Sequence, residues 1–143
     1  MIKFLGLLSK KKKVKPATAA AIYVALLQNV ITEGFIEIKD FINNNNNLEG
    51  APDLKDADID WFSNIIFLGN IQRLNVYFEE DEAVKLRSFI LDEVYKELEG
   101  NAQHLAIERF LDYENYFKDL LEKHESPINA MAIGIFEKYN IND

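Results

Sequence analysis

The chain has 143 residues, 48% of them hydrophobic, no cysteine and a formal net charge of −8. That length fits one ordinary domain able to bury most of its apolar surface, and the composition is too apolar for a disordered chain. The absence of cysteine excludes a disulfide scaffold and a thiolate metal site.

The charge is unevenly spread. Lys3, Lys10, Lys11, Lys12, Lys13 and Lys15 lie in the first fifteen residues, which hold no acid. From Pro16 onward ten basic side chains face 24 acidic ones, a surplus of 14 negative charges. The chain therefore divides into an apolar-then-basic N-terminal tail, 1–15, expected to be flexible, and one acidic helical domain, 16–143. So acidic a body repels nucleic acid and anionic lipid, and its expected partner is a basic protein. The same charge also serves plain solubility.

In the tail, Ile2, Phe4, Leu5, Leu7 and Leu8 precede the lysines. If this segment is helical, Phe4, Leu7 and Leu8 share a face. Together with Lys10, Lys11, Lys12 and Lys13 they are candidate contact residues, either for a membrane interface with anionic headgroups or for the acidic body of a neighbouring copy. Another reading takes the lysines as the charged start of a signal and Ala17 to Ile31 as its apolar core. That run is fifteen residues, short for a bilayer span. The expected location is the cytoplasm, with membrane association through the tail as the alternative.

Pro16 suits the first turn of a helix. Ala17 to Ile31 then predicts a largely buried helix, with Gly34 as its stop. Phe35, Ile38, Phe41 and Ile42 recur at helical spacing and predict a second helix, while the alternation of Ile36 and Ile38 leaves a short strand open. Asn43 to Asn47 and the residues on to Pro52 form a polar loop, and an asparagine run reads more readily as a tolerated insertion than as a site. Asp56 or Asp58 is expected to cap a helix carrying Phe62, Ile65, Ile66, Leu74 and Val76. Gly69 inside that helix is costly unless another helix crosses closely there.

Glu79, Glu80, Asp81 and Glu82 mark a break and the acidic first turn of the following helix. Its expected stripe is Val84, Ile90, Leu91, Val94, Tyr95 and Leu98, with Gly100 as the end. A long helix follows from about Ala102 to Lys123 with a stripe of Leu105, Phe110, Leu111, Phe117, Leu120 and Leu121. Ser126-Pro127 reads as N-cap and first helical residue of a last helix, packed through Ile128, Met131, Ile135, Phe136 and Tyr139. The predicted fold is all-α, a compact bundle of five to six helices.

Motifs for chemistry are sparse. Asp56-x-Asp58-x-Asp60 opens like a calcium loop, but Trp61 stands where glycine is needed and Phe67 where the bidentate glutamate is needed. His104 and Glu108 share a helix face, a common surface pairing that lacks further ligands. No cofactor or metal is expected. No glycine-rich phosphate loop or nucleophile elbow is present, and no motif identifies a family. The aromatics Trp61, Tyr113 and Tyr116 are the other candidate contact residues. Trp61 cannot share the narrow stripe of Phe62, so it packs under the long loop or faces a partner. Either tyrosine offers a large amphipathic contact; the bland alternative is core-edge packing with wet hydroxyls.

The reading that results is a non-catalytic helical protein-binding module with an acidic surface, of the adaptor, chaperone or immunity-like kind. Its alternatives are an enzyme or small-ligand binder with a pocket between helices, and a membrane-surface protein anchored by its tail.

Overall fold

A computed structural model describes residues 15–45, 47, 48 and 53–141. The tail contacts named above, Phe4, Leu7, Leu8 and Lys10 to Lys13, lie outside the described residues.

Pro16 opens helix α1 (Pro16–Asn43), where its missing N–H is one of the donors that a helix start leaves unpaired anyway. Gly34 does not stop this helix. One helix of 28 residues replaces the two that the glycine suggested, and no strand forms from Ile36 to Ile38. A glycine costs about 1 kcal/mol inside a helix. Burial of Ile31, Phe35 and Ile42 on both sides of it outweighs that cost. The Phe62 ring packs against the glycine, 3.5 Å from where a Cβ would stand.

The first residue of the asparagine run is structural. The Asn43 side chain donates to the Leu54 carbonyl at 2.9 Å and accepts from the Leu54 N–H at 2.8 Å. It thereby closes the polar loop at its base and seats Leu54 in the core. Beside this clamp, Lys39 reaches Asp56 at 2.6 Å. That pairing, both hydrogen bond and charge, raises the lysine pKa and lowers that of the aspartate.

A 3₁₀ turn, Asp56–Asp58, leads into α2 (Ile59–Ile71). Neither aspartate caps α2 as expected. Asp56 is turned to Lys39, and Asp58 accepts from the backbone N–H of Lys55 at 2.8 Å. The orphan N–H of Phe62 is taken instead by the Tyr139 hydroxyl at 2.9 Å, and the same hydroxyl donates to the Asp58 carbonyl. A tyrosine at the far end of the sequence thus does the work of a cap.

The helix expected to run on to Val76 ends at Ile71. A separate turn, α3 (Leu74–Tyr77), buries Leu74 and leaves Val76 exposed. The acidic run opens α4 (Glu80–Val94). Gly100 does not end α4. It adopts φ +55° and starts α5 (Gly100–His124), a left-handed conformation that favours glycine. Ser126 accepts from the Asn129 N–H and Pro127 opens α6 (Pro127–Lys138), as the dipeptide predicts.

The protein is all-α, with no strand among the described residues. Helix α1 packs along α4 and against α2, and α6 packs on both α2 and α5. The core is one continuous cluster in which Tyr23, Phe67, Phe110 and Phe117 are the largest fully buried side chains. Gly69 lets α6 approach, since a Cβ there would run into the Met131 sulfur. This is the close crossing that an interior glycine calls for.

Several residues expected in the core are outside it. Val84, Leu98, Leu105, Leu111, Ile128 and Phe136 are exposed, while Ala83, Leu86, Tyr113 and Ala130 are buried in their neighbourhoods. Helix α1 is likewise only half covered, because Ile22, Leu26 and Val30 form an exposed apolar strip at four-residue spacing.

Candidate functional site: an aromatic cleft with a lysine in it

Trp61 leaves the α2 stripe one step after Asp60, as its position beside Phe62 requires. It lies half-buried against α5. Its ring meets the edge of Tyr113 with centroids 5.2 Å apart and planes at 60°. Tyr113 in turn lies 5.6 Å from Tyr116, one helical turn along α5. The three candidate aromatics, separated by as much as 55 positions in the chain, thus stand side by side.

Helix α6 completes the site with two successive side chains. Tyr116 donates its hydroxyl to Glu137. That hydrogen bond, followed by burial and the carboxylate charge, raises the tyrosine pKa. Lys138 places its Nζ 3.9 Å from the centroid of Trp61 and 5.1 Å from that of Tyr113. With Leu105, Glu108, Arg109 and Asp112 these residues line an open cleft of about 640 Å³. Leu105, expected in the core, is one of its walls.

The two tyrosines differ sharply. Tyr116 is exposed, whereas Tyr113 is 4% exposed with its hydroxyl buried and, among the described residues, unpartnered. Burial, then the neighbouring Tyr116 and Glu137, push the Tyr113 pKa up. Its hydroxyl fits only because residue 134 is glycine, since a Cβ there would lie 2.6 Å from the oxygen. Tyr113 therefore offers the cleft its ring and not its hydroxyl, which departs from the expectation of wet hydroxyls on both tyrosines.

The acidic candidates Glu79, Glu80, Asp81 and Glu82 are exposed and lie at the start of α4, so they do not line the cleft. Near a helix N-terminus they are favoured by the macrodipole, typically by about 0.3–1 kcal/mol. His104 approaches Glu108 at 3.5 Å on the exposed face of α5, and His124 lies in the last turn of the same helix. Among the described residues no group of three or more His, Cys, Asp or Glu side chains is placed to hold a metal ion.

A sequence signal for the lysine exists only in hindsight. Lys138 is one basic residue in the last turn of a helix, and nothing local ties it to Trp61, 77 positions earlier. The chain matches no protein-family model, no curated protein and no solved structure.

Proposed function

We propose that the protein is a non-catalytic binding module that takes up a basic segment of another protein at the cleft of Trp61, Tyr113 and Tyr116. The supporting observation is the convergence of three aromatic side chains from α2 and α5 in an open cleft rimmed by Glu108, Asp112 and Glu137. Tyrosine and tryptophan supply large contact areas at low conformational cost and dominate protein interfaces. The openness of the cleft suits a side chain presented by a partner better than enclosure of a whole small molecule. The surplus of acid over the body steers a basic partner toward it.

The test uses an internal reporter, since Trp61 is the only tryptophan in the chain. Titration with a short lysine-rich peptide is expected to shift Trp61 fluorescence saturably, with binding that weakens as salt rises. Reversing Glu80 and Glu82 to lysine should lower the on-rate by on the order of tenfold at low salt without changing the endpoint of the Trp61 signal. An unchanged fluorescence at low salt, or binding that persists unaltered in Tyr116→Ala, would rule out the cleft as the contact surface.

A second reading draws on α1. Its length and composition would allow it to cross a membrane, and Ile22, Leu26 and Val30 are exposed on it. Attachment to an anionic membrane surface through this strip and the lysines before it requires co-sedimentation with anionic vesicles. Ile22→Ser/Leu26→Ser/Val30→Ser should reduce sedimentation several-fold, because each apolar side chain is worth about 1.5–3 kcal/mol when fully buried. Equal sedimentation of both proteins would dispose of this reading.

A further inference from the structure

We infer that the cleft is a cage for the ammonium group of a partner's lysine side chain, and that Lys138 is an internal occupant which the incoming lysine replaces. This rests on the protein-binding reading above and names the group that is recognised.

The structure holds a lysyl ammonium in the cage already. Lys138 has three carboxylates lining the same cleft, Glu108, Asp112 and Glu137. Glu137 accepts from the Tyr116 hydroxyl and Glu108 lies 3.5 Å from His104, and none of the three carboxylates pairs with Lys138. Among the described residues Lys138 makes no ion pair. Its ammonium lies instead over the rings of Trp61 and Tyr113. The face of an aromatic ring carries the negative part of its quadrupole and attracts a cation within about 6 Å of the centroid, tryptophan most strongly. The T-shaped arrangement of Trp61 and Tyr113 makes two walls of one corner, and the carboxylates beyond them keep the potential negative. Arg109, on the lining too, carries the opposite sign and weakens that potential.

Lys138 is the last residue of α6 and its side chain is exposed. It can swing into water without disturbing the core, so its occupancy is reversible. While seated, it competes with any external cation. The affinity of the cleft is therefore reduced by the fraction of time that Lys138 fills it, and removing Lys138 raises it.

Charge steering alone treats all singly charged lysine side chains alike. An aromatic cage prefers the more weakly hydrated trimethylated one and rejects a neutral side chain of similar shape. The probes are three short peptides that differ at one position, carrying lysine, trimethyllysine or norleucine. Each is titrated into the full chain and into Lys138→Met, and followed by Trp61 fluorescence and by amide chemical shifts of the residues around the cleft. Circular dichroism of the variant is the control for folding. Trimethyllysine is expected to bind at least as tightly as lysine, and norleucine not at all. Lys138→Met should tighten the two cationic peptides about three- to tenfold, which is about 0.7–1.4 kcal/mol. An equal response to norleucine, or an affinity unchanged by Lys138→Met, would overturn the cage. If the lysine-rich peptide still shifts Trp61 while the single-lysine peptides show no preference, the cage falls and the binding reading stands. If none of the peptides binds, both fall.

Discussion

Replacing Arg87 by methionine is expected to lower the stability of the protein by about 2–4 kcal/mol. Among the described residues Glu114 is the charged side chain buried in the core, 6% exposed, on the inner face of α5. Arg87 of α4 donates to its Oε1, and Gln72 donates to its Oε2 at 3.3 Å. The three side chains tie α4, α5 and the end of α2 together. Removing the arginine leaves a desolvated carboxylate with a single neutral donor, the costly half of breaking a buried pair. The loss falls below the full range for such pairs because Arg87 is 32% exposed, and water can enter where its side chain was. Glu114→Gln should cost less, about 1 kcal/mol, because the amide removes the buried charge and still accepts a hydrogen bond. Arg87→Met/Glu114→Leu should recover much of the single-variant loss, since an ion pair replaced by apolar groups is often neutral. Urea unfolding of the four proteins measures this directly, with the midpoint shift read at constant slope. A loss under about 0.5 kcal/mol for Arg87→Met would show that Glu114 is hydrated and that the pair adds little.

The second large effect is a reversal of sign. Gly134→Ala in the middle of a helix ordinarily gains about 1 kcal/mol. Here it is expected to lose about 1–2 kcal/mol, because overpacking typically costs about 1–3 kcal/mol. The new Cβ would stand 2.6 Å from the Tyr113 hydroxyl and 3.6 Å from Ile65 Cδ1. Tyr113 cannot easily retreat, being held between Trp61 at 5.2 Å and Tyr116 at 5.6 Å. Tyr113→Phe removes both the obstacle and a buried hydroxyl that has no partner among the described residues. Alone it should therefore be neutral or stabilising by up to about 1 kcal/mol. In that background Gly134→Ala should turn stabilising, so the cycle is expected to show a coupling of about 2 kcal/mol. Additive losses would mean that the helix, and not the hydroxyl, demands glycine at this position. The outcome matters for the site, since Gly134 sets the depth at which the Tyr113 ring stands behind the cleft.

Much of the fold could be read locally. Ser126-Pro127 starts a helix because a hydroxyl acceptor followed by a residue without an N–H satisfies a helix start by itself. The acids from Glu79 to Glu82 open α4 for the same kind of local reason. Gly69 signalled a close crossing, though not that Met131 would be the side chain that fills it. The glycines at 34 and 100 misled. One is carried inside a helix by the burial around it, and the other starts a helix where an end was expected. At Gly34 the local preference is worth about 1 kcal/mol, less than the packing of the large side chains on either side, whereas at Gly100 the left-handed backbone that glycine favours opens a helix instead of closing one.

Composition and periodicity by themselves determined the all-α class and most helix starts, because each of these depends on a residue and its near neighbours. They also marked Trp61, Tyr113 and Tyr116 as candidates, but not that Tyr113 is buried. Which apolar stripe each helix buries was decided only in three dimensions. Leu105 and Val84 obey the same helical spacing as the buried residues beside them, and only the position of the next helix separates the two sets. The Tyr139 hydroxyl at the start of α2 and the Lys138 ammonium over Trp61 belong to the same class. Both join residues 77 positions apart, and a contact of that kind follows from how α6 crosses α2 and α5, which no local pattern encodes.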